Sequence, residues 1–334
     1  MNNRIEILIS TYNRPNILKE WIYYGKVYFE KLGFAIAVYD SSTNSETENL
    51  IHDYNLTSYP KIKYVHVDSC VRLDDKIMQS ILESEYEYVW PMGDSRILDF
   101  DDIQKKVLPN IEKEVDFCCM FDMSEAKDGE QFIDANTFFR KCFWHATLLG
   151  GIIFRKDIFN PLMNRDYLYE CNKKYNRNDG FSYLGIFYDL IAGRKINAVY
   201  TDIHITDIGK NKTPGWIHRY MSVWCDNLIY LIDSIDDVYN NSKEEVLKYT
   251  WKVLNLDGVE WLYKARLAGG LSQDIYDYYD KNGYLDRVSD HKKRIRQFAF
   301  DDIRKLKVIY SQYLLNRKVF SGLRRIKKAL LKKS

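Results

Sequence analysis

A chain of 334 residues, 46% hydrophobic and 29% charged, is long enough for a sizeable core and too apolar for a disordered segment. Its formal net charge of +2 gives no general argument for nucleic-acid binding, although the charge is uneven along the chain. Six cysteines without CxxC spacing exclude a zinc ribbon or a small disulfide scaffold and suit reduced thiols in the cytoplasm. The N-terminus carries no apolar signal segment, and no run approaches the ~18 apolar residues of a spanning helix. Most of the 27 tyrosines are expected in packing or interfaces.

The apolar run Ile5 to Ile9 predicts a buried strand that ends in Ser10-Thr11-Tyr12-Asn13-Arg14-Pro15. Pro15 suits a first helical turn, and the helical spacing of Ile17, Leu18, Trp21, Ile22, Tyr24 and Val27 predicts a helix to Lys31, closed by Gly33. Phe34 to Tyr39 is a second strand, ending at Asp40-Ser41-Ser42, so the opening unit is β-α-β with a right-handed crossover. A helix over 45–54, a strand over 62–67, a helix over 73–84 and a strand over 86–90 follow, the last running through Pro91-Met92-Gly93 to Asp94. Four such units predict a doubly wound α/β domain, whose ligands sit beyond the carboxyl ends of the strands.

Beyond Asp94 the pattern predicts a helix from Asp99 to Ile111 and a strand over 115–121. The aromatic stretch Phe138 to Leu149 is expected along a binding groove. Gly150-Gly151 then marks either close approach to a ligand or a tight turn, before a strand at 152–155. A helix over 180–192, capped by Gly193, and a strand over 196–200 complete an expected domain at 1–212. Helical patterns over 216–235, 243–267, 271–283 and 289–315 make a helical region at 213–316. The last stretch, 317–334, is basic without an acid, and Val319, Phe320, Leu323, Ile326 and Leu330 fall on one helical face. It reads as an interfacial helix on anionic lipid or as a nucleic-acid-binding tail, and the continuous apolar face favours lipid.

The order of these segments resembles the glycosyltransferases of family 2, which have a GT-A fold. The residues that carry the likeness are Ser10-Thr11-Tyr12-Asn13-Arg14-Pro15, Asp40, Asp74-Asp75-Lys76, Asp94-Ser95-Arg96 and Gly150 to Arg155, and it covers about residues 4 to 205. It implies a nucleotide-sugar site formed by Ser10, Thr11, Tyr12, Arg14, Asp40, Lys76, Asp94 and Arg96. It further implies an inverting transfer from a UDP-linked sugar to a saccharide or lipid-linked glycan acceptor, in surface polysaccharide or glycoconjugate synthesis on the inner face of the plasma membrane. Family members hold Mn2+ or Mg2+ on an Asp-x-Asp motif, and here Arg96 stands at the second acid. The resemblance therefore implies either a weak metal site on Asp94 and His204, or metal-independent use of the Arg96 guanidinium. The family's general base falls near the start of the helix over 180–192, where Asp179 is the first candidate and Asp189 the second; Asp179 is equally suited to capping that helix. The rival readings are an inactive GT-A-like module that binds a nucleotide or glycan, and a nucleic-acid binder, for which no recognition module is present.

Overall fold

The computed structural model describes residues 4–121, 125–175, 180–207 and 215–331, with the backbone alone at 205–207, 318 and 320–331. The first strands and helices form where the apolar runs place them: β1 (Ile5–Thr11), α1 (Pro15–Leu32), β2 (Ala35–Asp40), α2 (Glu46–Thr57), β3 (Ile62–His66), α3 (Leu73–Glu83) and β4 (Tyr88–Gly93). Pro15 opens α1, and Gly33 closes it at φ 70, a left-handed turn that a side chain would strain. β1, β2, β3 and β4 are parallel, in the spatial order β3-β2-β1-β4.

The chain then continues through β5 (Arg96–Leu98), α4 (Phe100–Asp102), a π turn (Ile103–Val107) and α5 (Leu108–Ile111). It returns to the sheet with β6 (Phe117–Met120), β7 (Gln131–Asp134), α6 (Ala135–Ala146) and β8 (Ile152–Arg155). Next come α7 (Arg165–Lys174), α8 (Ser182–Ile191), β9 (Lys195–Thr201) and β10 (Ile205–Asp207). The main sheet has eight strands in the order β3-β2-β1-β4-β8-β6-β9-β7, and β10 pairs separately with β5. β8 runs antiparallel between β4 and β6, so the sheet is mixed where repeated βα units predicted a parallel one.

Both faces of the sheet are covered. On one, Ile5, Ile7 and Ile9 of β1 join Trp21, Phe29, Phe100 and Ile103 in a single apolar core. On the other, Phe117 of β6 meets Phe138 and Phe187 at ring distances of 4.7 and 5.2 Å. α6 corrects an expectation here. Its aromatic residues Phe138, Phe139, Phe143 and Trp144 are buried core, not the lining of a groove. The Gly pair after it serves both backbone roles. Gly150, at φ 95, turns the chain and donates its N–H to the Pro91 carbonyl (2.8 Å). Gly151 lies against the end of α6, where a Cβ would stand 2.1 Å from the His145 carbonyl oxygen.

The remaining helices are α9 (Leu228–Ser234), α10 (Lys243–Val253), α11 (Val259–Leu267), α12 (Gln273–Lys281), α13 (Ser289–Phe300) and α14 (Ile303–Leu331). The helix expected over 243–267 is broken at Asn255, which takes a left-handed φ of 48, and the one over 289–315 is broken at Asp301, which is extended. The chain forms two compact units, the first made of residues 1–212 with 230–250 and the second of 213–229 with 251–334. In the first, the 230–250 segment is tied in by Tyr239, whose hydroxyl donates to the Tyr188 carbonyl (2.9 Å) and whose ring lies 4.8 Å from Phe139. In the second, α14 stacks Tyr310 on Tyr263 (4.5 Å) and pairs Arg317 with Glu260 (2.7 Å).

Gly151→Ala tests the close approach of α6 to β8. Its Cβ meets backbone that cannot rotate away, so the variant is expected to lose about 1–3 kcal/mol in denaturant unfolding.

Candidate functional site

The order β3-β2-β1-β4 reverses the direction of chain crossover at β1, and the carboxyl ends of β1 and β4 flank that switch point. Ser10 is paired with Gly93 in the last register position of β1 and β4. One residue further on, the Thr11 hydroxyl donates to Asp94 Oδ2 at 2.8 Å and spans the gap. Asp94 is fully buried, and its Oδ1 lies 3.2 Å from Arg14 Nη2 as an ion pair without hydrogen-bond geometry. Burial pushes the Asp94 carboxyl up, while Arg14, Thr11 and Lys76 pull it down.

Lys76 reaches this edge from α3. It is 3% exposed, an uncommon place for a lysine, and its Nζ donates to the Thr11 carbonyl (2.8 Å) and to Ser41 Oγ (2.7 Å). Desolvation lowers its pKa to about 8, against the opposing pull of Asp40 and Asp94. Two positions before it, the buried Asp74 accepts from the backbone N–H of Gly180 (2.7 Å) and Ser182 (3.1 Å). The first turn of α3 thus holds the ends of β1 and β2 on one side and the start of α8 on the other.

Asp40 ends β2 and is fully buried. Its Oδ1 accepts from the Ser42 N–H (3.0 Å) and hydroxyl, and its Oδ2 accepts from the Tyr64 hydroxyl (3.1 Å). Asn13, at a left-handed φ of 51, locks the β1 loop to the β2 loop: its N–H donates to Ser42 Oγ (2.7 Å) and its Oδ1 accepts from the Thr43 N–H (3.0 Å). Ser10 is buried beneath this loop, and Tyr12 projects from it, 48% exposed. Thr11, Arg14, Asp40, Lys76 and Asp94 therefore converge on one sheet edge. Asn13, Ser41, Ser42 and Tyr64 support them. The Ser-Ser pair directly after Asp40 was the available signal for the serines; the strand pattern gave none for Tyr64.

Arg96 begins β5. Its Nη1 donates to the Leu149 carbonyl (2.9 Å), and its guanidinium stands 5.8 Å from the Phe121 ring centre. Leu149 also covers Gly93, where an added Cβ would lie 3.8 Å from the Leu149 Cβ. Arg96 is thereby fixed at the same strand end as Asp94.

Two other candidates are placed differently, and Asp179 lies outside the described residues. Asp189 belongs to a separate structural network, accepting from Lys174 Nζ (2.6 Å), the Tyr175 hydroxyl (2.8 Å) and the Asp236 N–H (3.0 Å). It lies two turns along α8 from the end that Asp74 holds. The His204 carbonyl accepts from the Asp99 N–H (3.3 Å), which sets His204 at the end of β5 away from Asp94.

These placements bear on the expected divalent cation. Among the described residues no three of His, Cys, Asp and Glu gather to hold one. Asp94 is not joined by His204, its Oδ2 takes the Thr11 hydroxyl, and a guanidinium already stands at Oδ1. The described residues do not fit a metal. A cavity of about 230 Å³ opens elsewhere, at the amino edge of β6 and β9. Its Arg155 is paired with both Asp116 and Asp157 at 2.8 Å, so that charge is compensated and no site is assigned there.

Lys76 gives a pH test. Its folded pKa, about 8, is below the ordinary 10.5, so the unfolded chain binds that proton more tightly. Between those values folding releases a proton, and raising the pH favours the folded state. Wild type is expected to gain up to about 3 kcal/mol relative to Lys76→Met between pH 8 and 10.5, read from paired thermal melts.

No protein-family model matches the chain, and no curated protein matches it. Among solved structures, residues 1–349 of S. aureus TarS in complex with UDP superpose with a TM-score of 0.50 at 11% identity, over 90% of this chain and 93% of that one. The mannosyltransferase PcManGT from Pyrobaculum calidifontis, in complex with GDP-Man and Mn2+, gives a TM-score of 0.48 at 10% identity, over 88% and 84%. The chain has a GT-A-like fold: an eight-stranded mixed α/β sheet followed by a helical part.

Proposed function

We propose that the protein is a glycosyltransferase that moves a sugar from a nucleoside diphosphate, UDP by preference, to a saccharide or lipid-linked glycan acceptor. The observation that carries this reading is the convergence of Thr11, Arg14, Asp40, Lys76 and Asp94 at the switch point of a GT-A-like sheet. In the proposed roles, the Asp40 carboxylate accepts a ring N–H of the base, and Asp94 accepts from the ribose. Tyr12, exposed beside them, borders the base. The acceptor hydroxyl oxygen attacks the anomeric carbon as the bond from that carbon to the diphosphate oxygen breaks. The hydroxyl proton passes to Asp179, and the nucleoside diphosphate leaves, giving inversion. The choice of UDP follows the TarS fragment, which was solved with that nucleotide.

A second reading, a binding module without turnover, is favoured by one observation: Arg96 stands where the Asp-x-Asp motif has its second acid. A screen of UDP- and GDP-sugars separates the two. Sugar transfer or donor hydrolysis by the purified protein supports the enzyme, and saturable binding with neither supports the module. Asp40→Asn is expected to weaken UDP binding about tenfold in calorimetry, because it removes a charge-assisted hydrogen bond. An unchanged affinity would remove Asp40 from the base site, and failure of every nucleotide to bind would remove the reading.

We further propose that the basic C-terminus holds the protein at the inner face of the plasma membrane. Helix α14 continues to Leu331, and no described helix is long and apolar enough to cross a membrane. Residues 317–334 hold eight Lys and Arg and no acid. Such a charge run is attracted to anionic lipid within a Debye length. Deletion of residues 318–334, which spares the Arg317–Glu260 pair, should abolish co-sedimentation with phosphatidylserine vesicles; retained binding would refute the anchor.

A further inference from the structure

We propose that the donor diphosphate is held, and its leaving charge neutralised, by Arg14, Lys76 and Arg96 without a divalent cation. This rests on the nucleotide-sugar reading of the same edge and specifies how that site works.

Three observations support it. The first is the supply of ligands. Asp94 is the one carboxylate of its motif, and the residue two positions on is an arginine, which has no lone pair to give a metal. The second is occupancy of that carboxylate. Oδ2 takes the Thr11 hydroxyl at 2.8 Å, and Oδ1 faces the Arg14 guanidinium at 3.2 Å. A divalent ion binds a carboxylate oxygen at roughly 2.1 Å. An ion on Oδ1 would therefore press against the guanidinium, with like charges in a buried site where repulsion is poorly screened. The third is the charge already present. Arg14 and Lys76 both act on the Asp94 carboxylate, so two cations stand beside one buried acid before any ion binds, and Asp40 is engaged by Ser42 and Tyr64.

The three cations are also held in place. Two of the three Lys76 ammonium N–H groups are committed to the Thr11 carbonyl and Ser41, which fixes the nitrogen. Arg14 is the N-cap residue of α1, immediately before Pro15. The Arg96 guanidinium is anchored by the Leu149 carbonyl and the Phe121 ring. A guanidinium so anchored pairs with phosphate through parallel N–H bonds, and charge aimed in advance at the leaving group is where electrostatic catalysis gains most.

The test is a calorimetric titration of the full-length protein with UDP, in EDTA and in Mn2+. Wild type is expected to bind with affinities within about twofold of each other in the two conditions. Arg96→Ala should weaken UDP by about tenfold in both. Arg96→Asp, which rebuilds the acidic pair, should bind weakly in EDTA and gain about tenfold from Mn2+. Wild-type affinity that falls about tenfold in EDTA and returns with Mn2+ would overturn the proposal, and that arm needs no variant to fold. Equal affinity of Arg96→Ala and wild type would remove Arg96 from the site and overturn the three-cation scheme. If neither UDP nor GDP binds in any arm, the nucleotide reading itself falls and takes this inference with it.

Discussion

The site depends on one hydrogen bond, from the Thr11 hydroxyl to Asp94. It closes the gap between β1 and β4 at the point where the sheet changes direction, and it sits on a carboxylate removed from water. A buried carboxylate raises its own free energy unless charge or hydrogen bonds compensate it. Thr11, Arg14 and Lys76 provide that compensation. The same carboxylate offsets part of the cost of burying the Lys76 ammonium. The group is mutually stabilised: each member is tolerable because the others are present. That coupling keeps the strand ends in one arrangement before any ligand arrives.

Much of the fold could be read from the sequence because the relevant strands are buried on both faces and stand out as apolar runs. Ile5 to Ile9, Phe34 to Tyr39 and Tyr86 to Trp90 each ended close to where the chain folds them. Pro15 and Gly33 marked the limits of α1. What escaped was set by partners remote in sequence. β8 is four residues long and lies antiparallel between β4 and β6, a choice its own residues do not encode. The β5–β10 pair joins segments about a hundred positions apart. α6 was misread because its density of aromatic residues suggested a ligand-facing surface, whereas its buried residues, Trp144 apart, share one face of an amphipathic helix.

The candidate site was legible mainly through the resemblance. Position at a strand end singled out Asp94, whereas Arg14, Asp40 and Lys76 became candidates through the segments that resemble the family. Asp189 entered as the second candidate for the general base that the resemblance implies. Its partners Lys174, Tyr175 and Asp236 show that an isolated acid can be a tie between segments as readily as a base. His204 illustrates the other limit. A residue that follows a core strand is near a strand end in sequence, yet the pairing of β5 with β10 sets it beside Asp99, at the end of β5 away from Asp94. Composition reports which groups are present, and register decides which of them meet.

The return of residues 230–250 to the first unit has a consequence for how the protein is made. Tyr239 covers Phe139 and Tyr188, and Asp236 completes the ligation of Asp189, but both are translated after residues 213–229 of the other unit. An N-terminal half emerging from the ribosome therefore holds every strand of its sheet while part of its aromatic layer is still bare. That exposed surface persists until residue 250 has cleared the exit tunnel, a window in which a chaperone or a neighbouring chain competes for the same rings. Synthesis and folding of this sheet are consequently out of step by one interposed segment.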